Sequence, residues 1–141
     1  MSFVPYLVAA IVLILIVSVL VSKIQKLFQR PEMIGLEPEQ AKEKWEEVKR
    51  MSDQGVMGAK IAVIEADKLL DNALKAMFMP GETLGERLKV AAYKYPKIRN
   101  VWPAHKLRNQ LVHDASFEIT PRQAKEALRG FEDALKTLHV L

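Results

Sequence analysis

The chain has 141 residues, with 21 Lys+Arg against 17 Asp+Glu, a net charge of +4 and no cysteine. The lack of cysteine excludes a disulfide framework and a thiolate metal cluster. So small a positive charge does not by itself mark a nucleic-acid binder.

The first element is apolar. Phe3 to Val21 holds no charged residue, and Leu7 to Val17 is wholly aliphatic. As a helix this run rises roughly 29 Å, close to the ~30 Å hydrocarbon core of a bilayer. Pro5 falls in the first turn, where a missing N–H costs little. Tyr6 sits near one end, as an interfacial aromatic does. A cleaved signal peptide fits poorly, because no Lys or Arg precedes the run, the run exceeds a usual apolar region, and no A-x-A-like site follows. Residues 3–22 are therefore expected to hold the chain in a membrane. Lys23, Lys26 and Arg30 come directly after, so the positive-inside rule predicts a single-pass protein of the cell membrane. Its short N-terminus would lie outside and its C-terminal domain in the cytoplasm. On this reading residues 1–28 are anchor and juxtamembrane segment, 29–37 (with Pro31 and Gly35) a linker, and 38–141 the domain. The domain is long enough for one modest core.

Pro38 suits the first position of a helix, and Ala41, Trp45 and Val48 recur at i, i+4, i+7, predicting an amphipathic helix to about Met51. Ser52 to Gly58 reads as a break carrying Gly55 and Gly58. The longest helix of the domain is expected from about Ala59 to Phe78, with Ala59, Val63, Ala66, Leu70, Leu74 and Met77 on one side. Pro80-Gly81 ends it. Thr83-x-x-Glu86 is a capping box for a helix over about 84–93. Pro96 separates that helix from the next, which Trp102-Pro103 opens and which runs over about Ala104 to Ala115. Thr120-Pro121-Arg122-Gln123 opens the last helix, which runs to about His139 with Ala124, Leu128, Phe131, Leu135 and Leu138 as its apolar stripe. No segment alternates with period two. The predicted fold class is all-α: one transmembrane helix followed by a bundle of four or five helices.

The chemistry concentrates in Leu107 to Asp114, L-R-N-Q-L-V-H-D. RNA is cleaved without metal when its own 2′-hydroxyl attacks the adjacent phosphate. His113 suits the proton transfers, since imidazole titrates near operating pH. Arg108 suits the phosphorane, with a permanent charge and a planar fork of donors. Asn109 suits positioning. Asn109 and His113 are i, i+4 and share a face, with His105 one turn back on it as an auxiliary group. Arg108 and His113 stand about 140° apart around the helix, so two copies of this helix across a dimer axis would line one cleft more completely. A plain structural role is the competing reading: Arg108 pairing with an acidic neighbour, His113 capping or bonding within the bundle.

Arg108-Asn109-x-x-x-His113 resembles the R-x(4–6)-H signature of the HEPN superfamily, whose Arg is commonly followed by a polar residue. The resemblance covers about residues 56–140 and extends to context, a late helix of a small all-α bundle followed by a further amphipathic helix. It implies a homodimer whose paired motifs form a metal-independent endoribonuclease site. In members modified by a nucleotidyltransferase partner a Tyr stands two residues after the His. Here Ala115 stands there, so that regulation does not carry over. The membrane span is also unusual for the family.

Between Glu86 and Asp114 no acidic residue occurs, while Arg87, Lys89, Lys94, Lys97, Arg99, Lys106 and Arg108 do, interleaved with Tyr93, Tyr95 and Trp102. Cations track phosphates and aromatic faces stack unpaired bases. Lys94, Lys97, Arg99, Lys106 and Tyr95 are thus candidate contacts for single-stranded RNA. A solvated basic face, or one lying against anionic lipid, fits the same composition. No metal or cofactor is expected: His105 and His113 stand about 12 Å apart along a helix, too far to share an ion. Asp67 and Asp71, at i, i+4, have the spacing to hold Mg²⁺, but acidic residues on a bundle helix are usually solvated, and they are read so here. The sequence leaves two functional readings, a membrane-anchored endoribonuclease and a non-catalytic membrane-tethered adaptor binding a protein or nucleotide partner.

Overall fold

The computed structural model describes residues 3–28 and 34–141. Among these residues all the regular structure is helical, with no strand: α1 (Val4–Phe28), α2 (Pro38–Ser52), α3 (Gly55–Ala76), α4 (Leu84–Lys94), a 3-10 turn (Pro96–Val101), α5 (Trp102–His113) and α6 (Pro121–Thr137). The chain divides into two units, residues 1–30 and residues 31–141. Most of the sequence-assigned linker, residues 29–33, lies outside the described residues, as does Arg30.

In the first unit, α1 carries a stretch, Pro5–Gln25, of 21 residues with mean hydropathy 2.9 and none of it buried. It is long and apolar enough to cross a membrane. Ser22 at its polar end bonds back to the carbonyl of Ser18 (2.8 Å).

In the second unit α3 is the central element, packed against α2, α4, α5 and α6. The apolar spacing of α3 dictates this, since Ala62, Val63, Ala66, Leu70, Ala73 and Leu74 are all fully buried or nearly so. Phe131 and Leu135 of α6, Leu88 of α4 and Ile98 of the 3-10 turn close the core, each with 1% exposure or less. Each such side chain contributes roughly 1.5–3 kcal/mol from burial. The start of α2 lies at the end of α3, where the N–H of Ile34 donates to the carbonyl of Ala76 (3.0 Å). Its end lies at the start of α3, so the two helices run antiparallel.

The break expected over Ser52 to Gly58 is shorter. Only Asp53 and Gln54 separate α2 from α3, and Gly58 is inside the helix. Gly55, at φ +76°, makes the turn. Gly58 permits close packing, since a Cβ there would come within 2.2 Å of the Met51 carbonyl oxygen. The motif helix starts at Trp102, as the Trp102-Pro103 pair predicts, and ends at His113 rather than Ala115; before it stands a 3-10 turn that the sequence marked only by Pro96. Both expected capping boxes are present. Thr83 accepts from the Glu86 N–H and Thr120 from the Gln123 N–H, each at 3.2 Å. Two helices end with a large residue in the left-handed conformation: Phe78 (φ 55°) after α3 and His139 (φ 60°) after α6. Both ends have the Schellman pattern. Met79 N–H bonds to Leu74 and Phe78 N–H to Lys75; Val140 N–H bonds to Leu135 and His139 N–H to Lys136.

Candidate functional site

The motif helix α5 leans on α3 and α6. Its apolar side is anchored by Ala104 and Leu111, both buried. That anchoring turns His105, Arg108, Asn109 and His113 toward a cleft of about 610 Å³, lined also by Asp67, Lys68, Asp71 and Lys75 of α3 and by Glu82, Gly85 and Arg87. Arg108 and Asn109 are half-buried and His113 is exposed. His105 is buried, and Trp102 meets its ring edge-on (centroids 5.8 Å apart, planes at 71°).

Four side chains form a closed polar ring. Nδ1 of His105 lies 2.7 Å from Oδ1 of Asp67. Nδ2 of Asn109 lies 3.3 Å from Nε2 of His105. Nη1 of Arg108 donates to Oδ1 of Asn109 (3.0 Å). Nε of Arg108 stands 3.1 Å from Oδ2 of Asp67, which closes the ring. The donor and acceptor roles follow from chemistry. A carboxylate only accepts, so His105 carries its proton on Nδ1, and Nε2 then accepts from the Asn109 amide. That orientation presents the amide oxygen to Arg108. The last contact is an ion pair rather than a hydrogen bond. The Arg108 Nε–H is buried without an aligned acceptor, although the Asp67 oxygen is near. Nη2 of Arg108 and one hydrogen of Nη1 have no hydrogen-bond acceptor among the described residues.

Asp67 corrects the sequence reading. It is 3% exposed, not solvated, and it joins His105 and Arg108 from the opposite helix. A signal for it existed, since Asp67 is four residues after Val63 and three before Leu70, on the apolar stripe of α3. A carboxylate there must be paired. Asp71 is only half-solvated and is also paired. Its Oδ1 takes Nε and Nη2 of Arg87, both at 2.8 Å, and its Oδ2 takes Lys75 (2.6 Å). Arg87 is buried and also donates to the carbonyls of Gly81 and Glu82, so it fastens the turn before α4 to α3.

Of the basic run, Arg87 and Arg108 are thus occupied by carboxylates. Lys89, Lys94, Lys97, Arg99 and Lys106 are exposed, and none forms an ion pair among the described residues. Lys94 lies over the half-buried Tyr95 ring (5.4 Å). Tyr93, at 87% exposure, is the freer aromatic face. Lys94, Lys97, Arg99, Lys106 and Tyr95 do not line the cleft that holds the motif. The cleft itself has mixed charge, with Asp67, Asp71 and Glu82 opposite Lys68, Lys75, Arg87 and Arg108. No group of three or more His, Cys, Asp or Glu with metal-binding geometry occurs among the described residues.

No protein family, curated protein or solved structure matches this chain.

Proposed function

We propose that this chain is a membrane-anchored, HEPN-like endoribonuclease that cleaves single-stranded RNA without metal. The observation that carries the reading is that Arg108, Asn109 and His113 border one open cleft. His113 is exposed and has no side-chain hydrogen bond or ion pair among the described residues, which leaves its imidazole available for proton transfer. In the proposed reaction His113 takes the proton from a 2′-hydroxyl, the 2′-oxygen bonds to phosphorus, and the bond from phosphorus to the 5′-oxygen breaks. A second imidazole protonates that leaving oxygen and a 2′,3′-cyclic phosphate results. The second imidazole is His113 of another copy, and the exposed Val112 beside it offers apolar surface for such a homodimer. The free Nη donors of Arg108 bind the phosphorane, with Asn109 holding the guanidinium. His105 acts as a positioning residue through Asn109. Lys94, Lys97, Arg99 and Lys106 guide the strand toward the cleft from outside it, with Tyr95 beside them. The hydropathy of α1 and the Lys23, Lys26 and Arg30 flank support a single-pass membrane placement with the domain in the cytoplasm.

A second reading is favoured by one specific observation. The Arg108 guanidinium already has a carboxylate partner and an amide partner. A ring so satisfied also serves a non-catalytic, membrane-tethered adaptor, where it ties α5 to α3. The two readings separate on one assay: full-length protein in micelles with mixed single-stranded RNA and EDTA, beside His113→Ala and Arg108→Ala. The nuclease reading expects cleavage that falls at least about 100-fold in both variants at unchanged helicity. Absence of cleavage, or equal cleavage by all three proteins, rejects it in favour of the adaptor.

A further inference from the structure

Two large apolar side chains stand out of the bundle at one place. Ile34 is 68% exposed and Phe78 71% exposed. They are neighbours, because the Ile34 N–H is bonded to the carbonyl of Ala76, two residues before Phe78. Phe78 is also in the left-handed conformation, at φ 55°. It occupies the position after a helix end where glycine is usual, a backbone conformation that is strained for a bulky residue. The chain thus accepts backbone strain to hold an aromatic ring in the open, with nothing inside the bundle covering it.

The covalent chain indicates what covers it. Five residues, 29–33, separate the end of α1 at Phe28 from Ile34. Fully extended, six peptide steps reach at most about 22 Å. If α1 crosses a bilayer, as proposed above, a tether this short keeps Ile34 within reach of a lipid surface. We infer that Ile34 and Phe78 dock into the lipid interface and fix which face of the bundle meets the membrane. The ring suits the headgroup and acyl boundary, where aromatic and branched side chains bury apolar area without crossing. The nearby charges are mixed: Lys75 is paired with Asp71, and Glu37 and Glu82 are exposed. The docking is therefore apolar and needs no anionic lipid.

The chain contains no cysteine, so single-cysteine variants label at one site. Full-length protein in phosphatidylcholine vesicles would carry a nitroxide at Ile34→Cys, with Val12→Cys as a bilayer control and Tyr93→Cys as a water control. The readout is the ratio of oxygen to nickel-chelate collisions. The expected result is a ratio at Ile34→Cys at least about threefold above Tyr93→Cys, falling toward the Tyr93 value when Phe78→Ser is added. Phe78 is exposed, so that change leaves the fold intact, and circular dichroism verifies it. A lipid-like ratio at Val12→Cys with a water-like ratio at Ile34→Cys overturns the docking alone. A high ratio at Ile34 that Phe78→Ser does not move also overturns it. A water-like ratio at Val12→Cys overturns the membrane span and the docking together.

Discussion

Asp67 holds Nδ1 of His105 at 2.7 Å and Nε of Arg108 at 3.1 Å, and its side chain is 4% exposed. Truncating it leaves a buried imidazole N–H and a half-buried guanidinium without their acceptor. Arg108 keeps some contact with water, which moderates the penalty. Asp67→Ala is expected to lower unfolding free energy by roughly 2–4 kcal/mol in chemical denaturation. His113→Ala, at an exposed position without side-chain partners among the described residues, is expected to change it by less than about 0.5 kcal/mol. Equal effects of the two would mean that the ring does not hold α5 to α3. The contrast bears on the proposed function because Asp67 carries structure, whereas His113 forms no side-chain hydrogen bond or ion pair among the described residues. Trp45 shows the opposite economy. Its Nε1–H is buried with no acceptor among the described residues, so its indole contributes packing against the cost of an unpaired donor.

At the scale of elements, the ends of the helices are built from local chemistry. Thr83 and Glu86 cap α4 reciprocally, and the Glu86 carboxylate takes the N–H groups of Glu82 (2.6 Å) and Thr83 (3.3 Å). These two bonds, that from Glu82 first, hold the Glu86 carboxyl below its ordinary value of 4.5. A carboxyl whose folded-state value is depressed stabilises the fold above its unfolded value, and that contribution fades as pH falls through the folded value. Denaturation midpoints are therefore expected to drop as the pH is taken below about 4.5. Glu86→Gln, which keeps an acceptor oxygen but cannot titrate, should show a smaller drop. Parallel acid curves for the two proteins would remove Glu86 from the account. At the two ends of α3, Gly58 and Phe78 are decided by neighbours. One lets the Met51 carbonyl approach, and the other projects its ring outward from a strained turn.

For the whole molecule, the division after residue 30 separates an apolar helix with no buried stretch from a unit with its own core. Ala41, Trp45, Leu70, Leu88, Phe131 and Leu135 all belong to the second unit. Residues 31–141 are expected to fold alone, giving a soluble helical protein with one cooperative thermal transition. An aggregated product, or a broad non-cooperative melt, would show that the bundle depends on α1. This separation also means that a soluble fragment is informative about the cleft, while the Ile34–Phe78 surface needs the complete chain.

The sequence by itself determined the apolar α1, the helical class of the domain, both capping boxes and the helix that carries Arg108, Asn109 and His113. All of these rest on local periods or on caps three residues long, which a linear reading contains. Tertiary structure alone decided the partners. Asp67 lies 38 residues before His105, and only the packing of α5 on α3 makes its carboxylate part of the motif. The same packing withdrew Arg87 from the basic run by placing Asp71 beside it, and it left Lys94, Lys97, Arg99 and Lys106 outside the cleft. The physical reason is that a charge on a helix has no meaning until its surroundings are set. The same carboxylate is a solvated surface group in water and a bond between helices when a core closes over it.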